Sequence, residues 1–149
     1  MMMKKIIIGD HITKSFGKGD EQRNVLDDVS VEINEGEFVA IMGPSGSGKS
    51  TLMFALSGMD EIDSGKVLFE DKDLSVMGEN ELSDIRRTKM GFVFQQPTML
   101  KNLNIIDNII LPVMRDNAKN AGVISEKAKM LMKRVGIAEL EKHDITQVS

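Results

Sequence analysis

Gly43-Pro44-Ser45-Gly46-Ser47-Gly48-Lys49-Ser50, followed by Thr51, is the stretch on which the fold turns. It fits G-x-x-x-x-G-K-[ST], and its flanks suit that motif. Before it, Phe38-Val39-Ala40-Ile41-Met42 is apolar throughout, the pattern of a strand covered on both faces. After it, Lys49 to Leu56 reads as a helix. Each residue type has a chemical reason. The glycines let successive backbone N–H groups curl into an anion-binding concavity, and the following helix points its positive end at the same place. Lys49 supplies a charge for outer phosphates, and Ser50 sets a hydroxyl where it can hold Mg²⁺, which takes oxygen ligands. The motif predicts binding of a nucleoside triphosphate or a similar phosphate; it does not say which reaction follows.

Outward from the loop, Lys5 to Phe16 reads as a first strand. Residues 17–24 are a polar turn or loop. Val29, Val31 and Ile33 alternate with Ser30, Glu32 and Asn34, as in a strand with one wet face. Asp63-Ser64-Gly65 precedes another strand from Lys66 to Phe69. Glu79 to Lys89 reads as a short helix, its acids early and its bases late, which suits the helix dipole. Gly91-Phe92-Val93-Phe94 reads as a short strand ending at Gln95-Gln96-Pro97. From Asn104, a cap candidate, the pattern is helical: Ile105, Ile106, Ile109, Ile110, Val113 and Met114 share a face, with a kink expected at Pro112. A second helix is expected from about Ser125, with Ala128, Leu131, Met132 and Val135 as its stripe. Gly136 ends it and a short turn, Ile137 to Glu141, follows. The reading gives an α/β protein with a phosphate-loop core over 1–100 and a helical part over 101–149.

Composition narrows the classes. The chain has 149 residues, 19 basic and 23 acidic, with a formal net charge of −4, which argues against a nucleic-acid partner held by bulk charge. There are no cysteines, so disulfides, Cys-ligated zinc and thiol catalysis are excluded. His11 and His143 are too few and too far apart to suggest a metal cluster. Met1-Met2-Met3-Lys4-Lys5-Ile6-Ile7-Ile8 lacks the roughly 7–15 apolar residues of a secretory core. No run approaches the ~18 that cross a bilayer, so the expectation is a soluble, intracellular protein.

Gly36-Glu37-Phe38-Val39-Ala40-Ile41-Met42, the loop itself with Thr51-Leu52-Met53, Ser64-Gly65 and Met90-Gly91-Phe92-Val93-Phe94-Gln95-Gln96 together resemble the ATP-binding subunits of ABC transporters, over essentially the whole chain. Glu81-Leu82-Ser83-Asp84-Ile85-Arg86-Arg87 and Leu111-Pro112 are similar to the branch with macrolide exporters, lipoprotein-release systems and peptide-antibiotic resistance pumps. The resemblance implies the ABC-type P-loop NTPase fold, here its N-terminal part: an antiparallel β subdomain, an incomplete RecA-like core and a helical subdomain. It implies ATP and Mg²⁺ as cofactors. Phe16 sits where the family places a Tyr that stacks on adenine; Phe keeps the π-face and loses the hydroxyl. Gly43, Pro44, Ser45, Gly46, Ser47, Gly48, Lys49, Ser50 and Thr51 would cradle the phosphates (the Walker A motif). Gln95, 46 residues beyond Lys49, resembles the Q-loop residue that reaches Mg²⁺ and the attacking water. Ser50 and Gln95 are thus the implied metal contacts. Implied partners are a transmembrane permease, against which exposed members of the Ile/Met stripe would dock, and a second ATP-binding subunit. The implied location is the inner face of the cell membrane.

Gln147-Val148-Ser149 resembles the approach to the family's signature loop, a Ser followed by Gly-Gly-Gln. The Gly-Gly pair, the Walker B aspartate, the catalytic glutamate and the switch histidine are not among the 149 residues. The expectation is a truncated chain that binds nucleotide without hydrolysing it alone, since a missing general base costs ~10²–10⁴ in rate, and one that is marginally stable. Gly43-Pro44-Ser45-Gly46 also occurs in guanylate-kinase-like enzymes, so a nucleotide kinase is an alternative; those begin with the phosphate-loop strand, whereas about 40 residues precede it here. A third reading is a non-catalytic module that docks on a permease.

Overall fold

Alternation of apolar and polar residues builds the first part of the molecule. The structure, a computed structural model, describes residues 4–96, 99–117 and 120–147. Its contacts divide the chain into a unit over Met1–Phe92 and a unit over Val93–Ser149, each with its own apolar core. In the first unit β1 (Lys5–Phe16) lies between β2 (Arg23–Asn34) and β3 (Ser64–Phe69), and the two-residue β4 (Lys72–Asp73) completes an antiparallel sheet of order β2-β1-β3-β4. β2 begins six residues before Val29, where the clean alternation starts, because pairing of Arg23 with Phe16 and Asn24 with Ser15 carries the ladder back to the turn at Gly19–Glu21.

β1 is bulged between Gly9 and Ile12. There His11 takes φ 52, and Asp28 on β2 takes φ 53; both residue types tolerate the left-handed region. Their side chains meet, His11 Nδ1 to Asp28 Oδ1 at 2.5 Å, and this hydrogen bond, followed by the Asp28 charge, holds the imidazole pKa above its usual value. Gly65 packs beneath the bulge at φ +95, where a Cβ would stand 2.6 Å from the Asp10 carbonyl oxygen. The Ser64-Gly65 pair is thus fixed by a close backbone crossing.

Ile12, Leu26, Val67 and Phe69 of the sheet bury against Ala55 and Leu56 of α1 (Lys49–Leu56), with Leu74 beside them. The helix α2 (Glu79–Lys89) packs Leu82 and Ile85 on this core. Its Arg86 donates 2.5 Å to the Gly58 carbonyl just after α1 and pairs with Glu79 on its own helix.

Two expected strands do not form. No ladder includes 38–42 or 91–94 among the described residues. Phe38 is 96% exposed and Met42 87%, whereas the sequence pattern of 38–42 is that of a strand covered on both faces; Val93, read as part of a short strand, is 97% exposed. Apolar composition provides the side chains of a central strand, but a strand also needs neighbours for its N–H and C=O groups, and none of the four described strands pairs with these segments.

The second unit is helical. In α3 (Ile105–Asn117) Ile105 and Ile106 are buried and Ile109 and Ile110 pack on them, but Val113 is exposed. The Asn104 side chain caps this helix as expected, its Oδ1 accepting from the Asp107 N–H at 2.8 Å. The helix runs through Pro112. α4 (Ala121–Val135) starts four residues before the expected Ser125, since Ala121, Val123 and Ile124 extend the helix upstream. Ala128 and Met132 are buried, whereas Leu131 and Val135, expected in the same stripe, are exposed on its flank. A turn at Ala138–Leu140 follows, as expected, and a second at Ile145–Gln147. Val148 and Ser149, where the resemblance places the approach to the signature loop, lie outside the described residues.

Candidate phosphate-binding site

The phosphate loop lies in the first unit, and its curvature is set by α1 and β2. α1 begins at Lys49, as the sequence reading expected. Its first intrahelical bond on the N-terminal side runs from Leu52 N–H to Gly48 O at 2.8 Å. The amides of Lys49, Ser50 and Thr51 therefore have no acceptor within the helix and point out of its positive end. Gly48 caps the helix in the left-handed conformation at φ +85. A Cβ there would stand 2.8 Å from the Val25 carbonyl oxygen of β2, so the loop presses its backbone directly on the strand. The bend is tightened by Ser47 N–H donating to Pro44 O at 3.3 Å. Lys49 Nζ donates to the Pro44 carbonyl at 2.6 Å, which lays the ammonium across the loop. Gly43 to Ser47 and Ser50 are exposed; Gly48, Lys49 and Thr51 are half-buried.

This geometry fits a polyphosphate with its cation. Backbone amides at a helix start, one ammonium and one hydroxyl are the donor set such a ligand takes. Ser50 is the residue here that would offer Mg²⁺ a side-chain oxygen, and bound Mg²⁺ would neutralise charge on the outer phosphates.

Phe16 ends β1 opposite Arg23, and two residues further along β2 the Val25 carbonyl meets Gly48. The structure thus brings Phe16 and the phosphate loop to the same end of the β1–β2 pair. Phe16 is 47% exposed, with Lys14 Nζ 5.3 Å from its ring centroid. The chain after α1 grips this end of β1. Asp63 Oδ2 accepts from the Ser15 hydroxyl at 2.5 Å and the Ser15 N–H at 2.6 Å; these two bonds, the hydroxyl first, hold the Asp63 pKa below the usual carboxylate value. Gln22 donates to the same Ser15 hydroxyl, and Asp63 N–H donates to Thr13 O at 2.8 Å. The sequence reading did not find this clamp. Its one local signal is Asp60-Glu61-Ile62-Asp63, an acidic cluster just beyond the phosphate-loop helix.

Gln95 is exposed and belongs to the second unit. Among the described residues no group of His and carboxylate side chains forms a metal cluster, and no helix is long and apolar enough to cross a membrane.

Comparison with known proteins gives this site its context. The family profile described as "ABC transporter" matches residues 26–149. The macrolide export ATP-binding/permease protein MacB of Pasteurella multocida is 37% identical over 149 residues, covering all of this chain and 23% of the relative. The lipoprotein-releasing system ATP-binding protein LolD of Bdellovibrio bacteriovorus is 38% identical over 138 residues, covering 93% of this chain and 62% of the relative. The chain therefore spans less than two thirds of the length of these relatives. Among solved structures, the dimeric post-hydrolysis state of the ATP-binding cassette MJ0796, bound to ADP and Pi, superposes with a TM-score of 0.89 at 33% identity, covering 97% of this chain and 63% of that one. A sheet packed on a helix that opens with a phosphate loop, and a profile match from Leu26 onward, place the fold among α/β P-loop NTPases, and the chain belongs to the ABC transporter family as an ATP-binding domain.

Proposed function

We propose that this chain is the ATP-binding part of a transporter that couples binding and hydrolysis of ATP to export or release of a substrate across a membrane. Gly43 to Thr51 hold the triphosphate, Lys49 its outer charge, and Ser50 and Gln95 the Mg²⁺. Gln95 also orients the attacking water, and Phe16 stacks on the base. Residues 1–100 form the nucleotide core, and 101–149 the helical part that docks on a permease at the cytoplasmic face. A second ATP-binding subunit completes the working assembly, as in the dimeric MJ0796 structure with ADP and Pi.

One observation carries the reading: Gly48, left-handed and pressed on the Val25 carbonyl, turns the loop into α1, whose first amides lack helical acceptors and whose Lys49 ammonium lies across the loop on the Pro44 carbonyl. Titration calorimetry with Mg-ATP tests it. A hydrogen bond to a charged group contributes about 1.5–3 kcal/mol, so Lys49→Ala is expected to weaken binding by roughly ten- to hundredfold. Equal heat and affinity for the two proteins overturns it.

A further inference from the structure

The clamp around the end of β1 includes a cation whose position exposure alone does not explain. Lys14 has an ordinary reason to extend into solvent, since an ammonium is strongly hydrated. Instead its side chain is only 13% exposed. Nζ donates to the Glu61 carbonyl at 2.6 Å, lies 3.3 Å from Asp60 Oδ1, and stands 5.3 Å from the Phe16 ring centroid. Three neighbours, two of them from the segment that leaves α1, hold it in one place. Lys14 also lines a cavity of about 440 Å³ together with Met59, Ile62, Leu74 and Leu82.

We propose that Lys14 is a positioning residue for the nucleobase. Anchored by Asp60 and the Glu61 carbonyl, its ammonium covers one face of Phe16, fixing the ring and leaving it to stack through its exposed part. The proposal rests on the reading of Phe16 as the base platform. A cation over an aromatic face is attracted by the ring quadrupole and restrains the ring. It also draws electron density toward itself, which favours stacking of an electron-rich purine on the other side. α1 then joins both ends of the nucleotide: its start carries the phosphate loop, and the chain beyond its end holds the base platform in place through Lys14 and Ser15.

The test separates base from phosphate. Affinities of the 149-residue chain are measured by calorimetry for Mg-ATP and for Mg-tripolyphosphate, which has no base. Lys14→Met keeps the stem and removes the cation. It is expected to weaken Mg-ATP by about three- to tenfold, the range of a cation–π contact, with tripolyphosphate changed by less than about twofold. Phe16→Ala should show the same selective loss, and Lys14→Arg should retain wild-type affinity. Asp60→Asn, which loosens the anchor and leaves the cation, should fall between Lys14→Met and wild type. If Lys14→Met weakens both ligands alike, Lys14 acts only as a charge and the proposal is overturned. If Phe16→Ala is selective and Lys14→Met is without effect, Phe16 is the platform and the Lys14 proposal alone fails. If Phe16→Ala changes nothing, the platform reading fails and takes the proposal with it. Should Lys14→Met lose its cooperative melt, Asp60→Asn decides: selective loss of Mg-ATP supports the proposal, and unchanged affinity overturns it.

Discussion

Gly48 is one residue under two constraints, a left-handed backbone and a strand carbonyl 2.8 Å from where a side chain would begin. For any residue with a Cβ the left-handed conformation alone costs about 1–2 kcal/mol. Gly48→Ala is therefore expected to lower the melting temperature of the first unit and to weaken Mg-ATP binding together, measured by thermal denaturation and calorimetry. Asp63 acts through protonation instead. Its pKa in the folded chain is depressed by the Ser15 hydroxyl and amide, so its contribution is present above the unfolded value of about 4 and is lost as pH falls through the folded value. Melts recorded between about pH 3 and 6 should show a shallower acid decline for Asp63→Asn than for wild type. At this scale the sequence was readable where local spacing sets the backbone, as in the turn from Gly43 to Gly48 into a helix that begins at Lys49. It was not readable at Lys14 or Asp63, whose roles arise from a contact across 47 or 48 positions.

Elements were legible where their signals are local. α1 and α2 begin and end where the glycines and the charge gradient place them, and Asn104 caps α3 through the Asp107 amide. Asn104→Ala leaves that amide without its partner and should cost about 1 kcal/mol, read as a loss of stability in the helical unit by chemical denaturation, with Asn104→Ser close to wild type. The missed elements share one cause. Phe38 to Met42 and Gly91 to Phe94 have the composition of buried strands, but a strand is defined by its ladder partners, which no window of neighbouring residues contains. The stripe of α4 was overread for a related reason: Leu131 and Val135 fit the period, yet the helix contact is narrow and takes Ala128 and Met132 only.

Across the whole molecule, the two cores share no residue. Met132, almost wholly buried beside Ile105, Ile106 and Ala128, is expected to cost about 2–5 kcal/mol when cut to Ala. Amide exchange should then accelerate in α3 and α4 while the β1 and β3 amides keep their protection. The central place of β1 has a further consequence, for the order of assembly. Its pairing with β2 closes across a short turn, from Phe16 to Arg23, and hairpins of this kind zip within microseconds. Its pairing with β3 must wait for the excursion 35–63 to return, at the entropic cost of a longer closure. That excursion contains the phosphate loop. A chain emerging from a ribosome thus finishes its hairpin while Gly43 to Thr51 are still a tether, and docking of Ser64–Phe69 is the step that pins them.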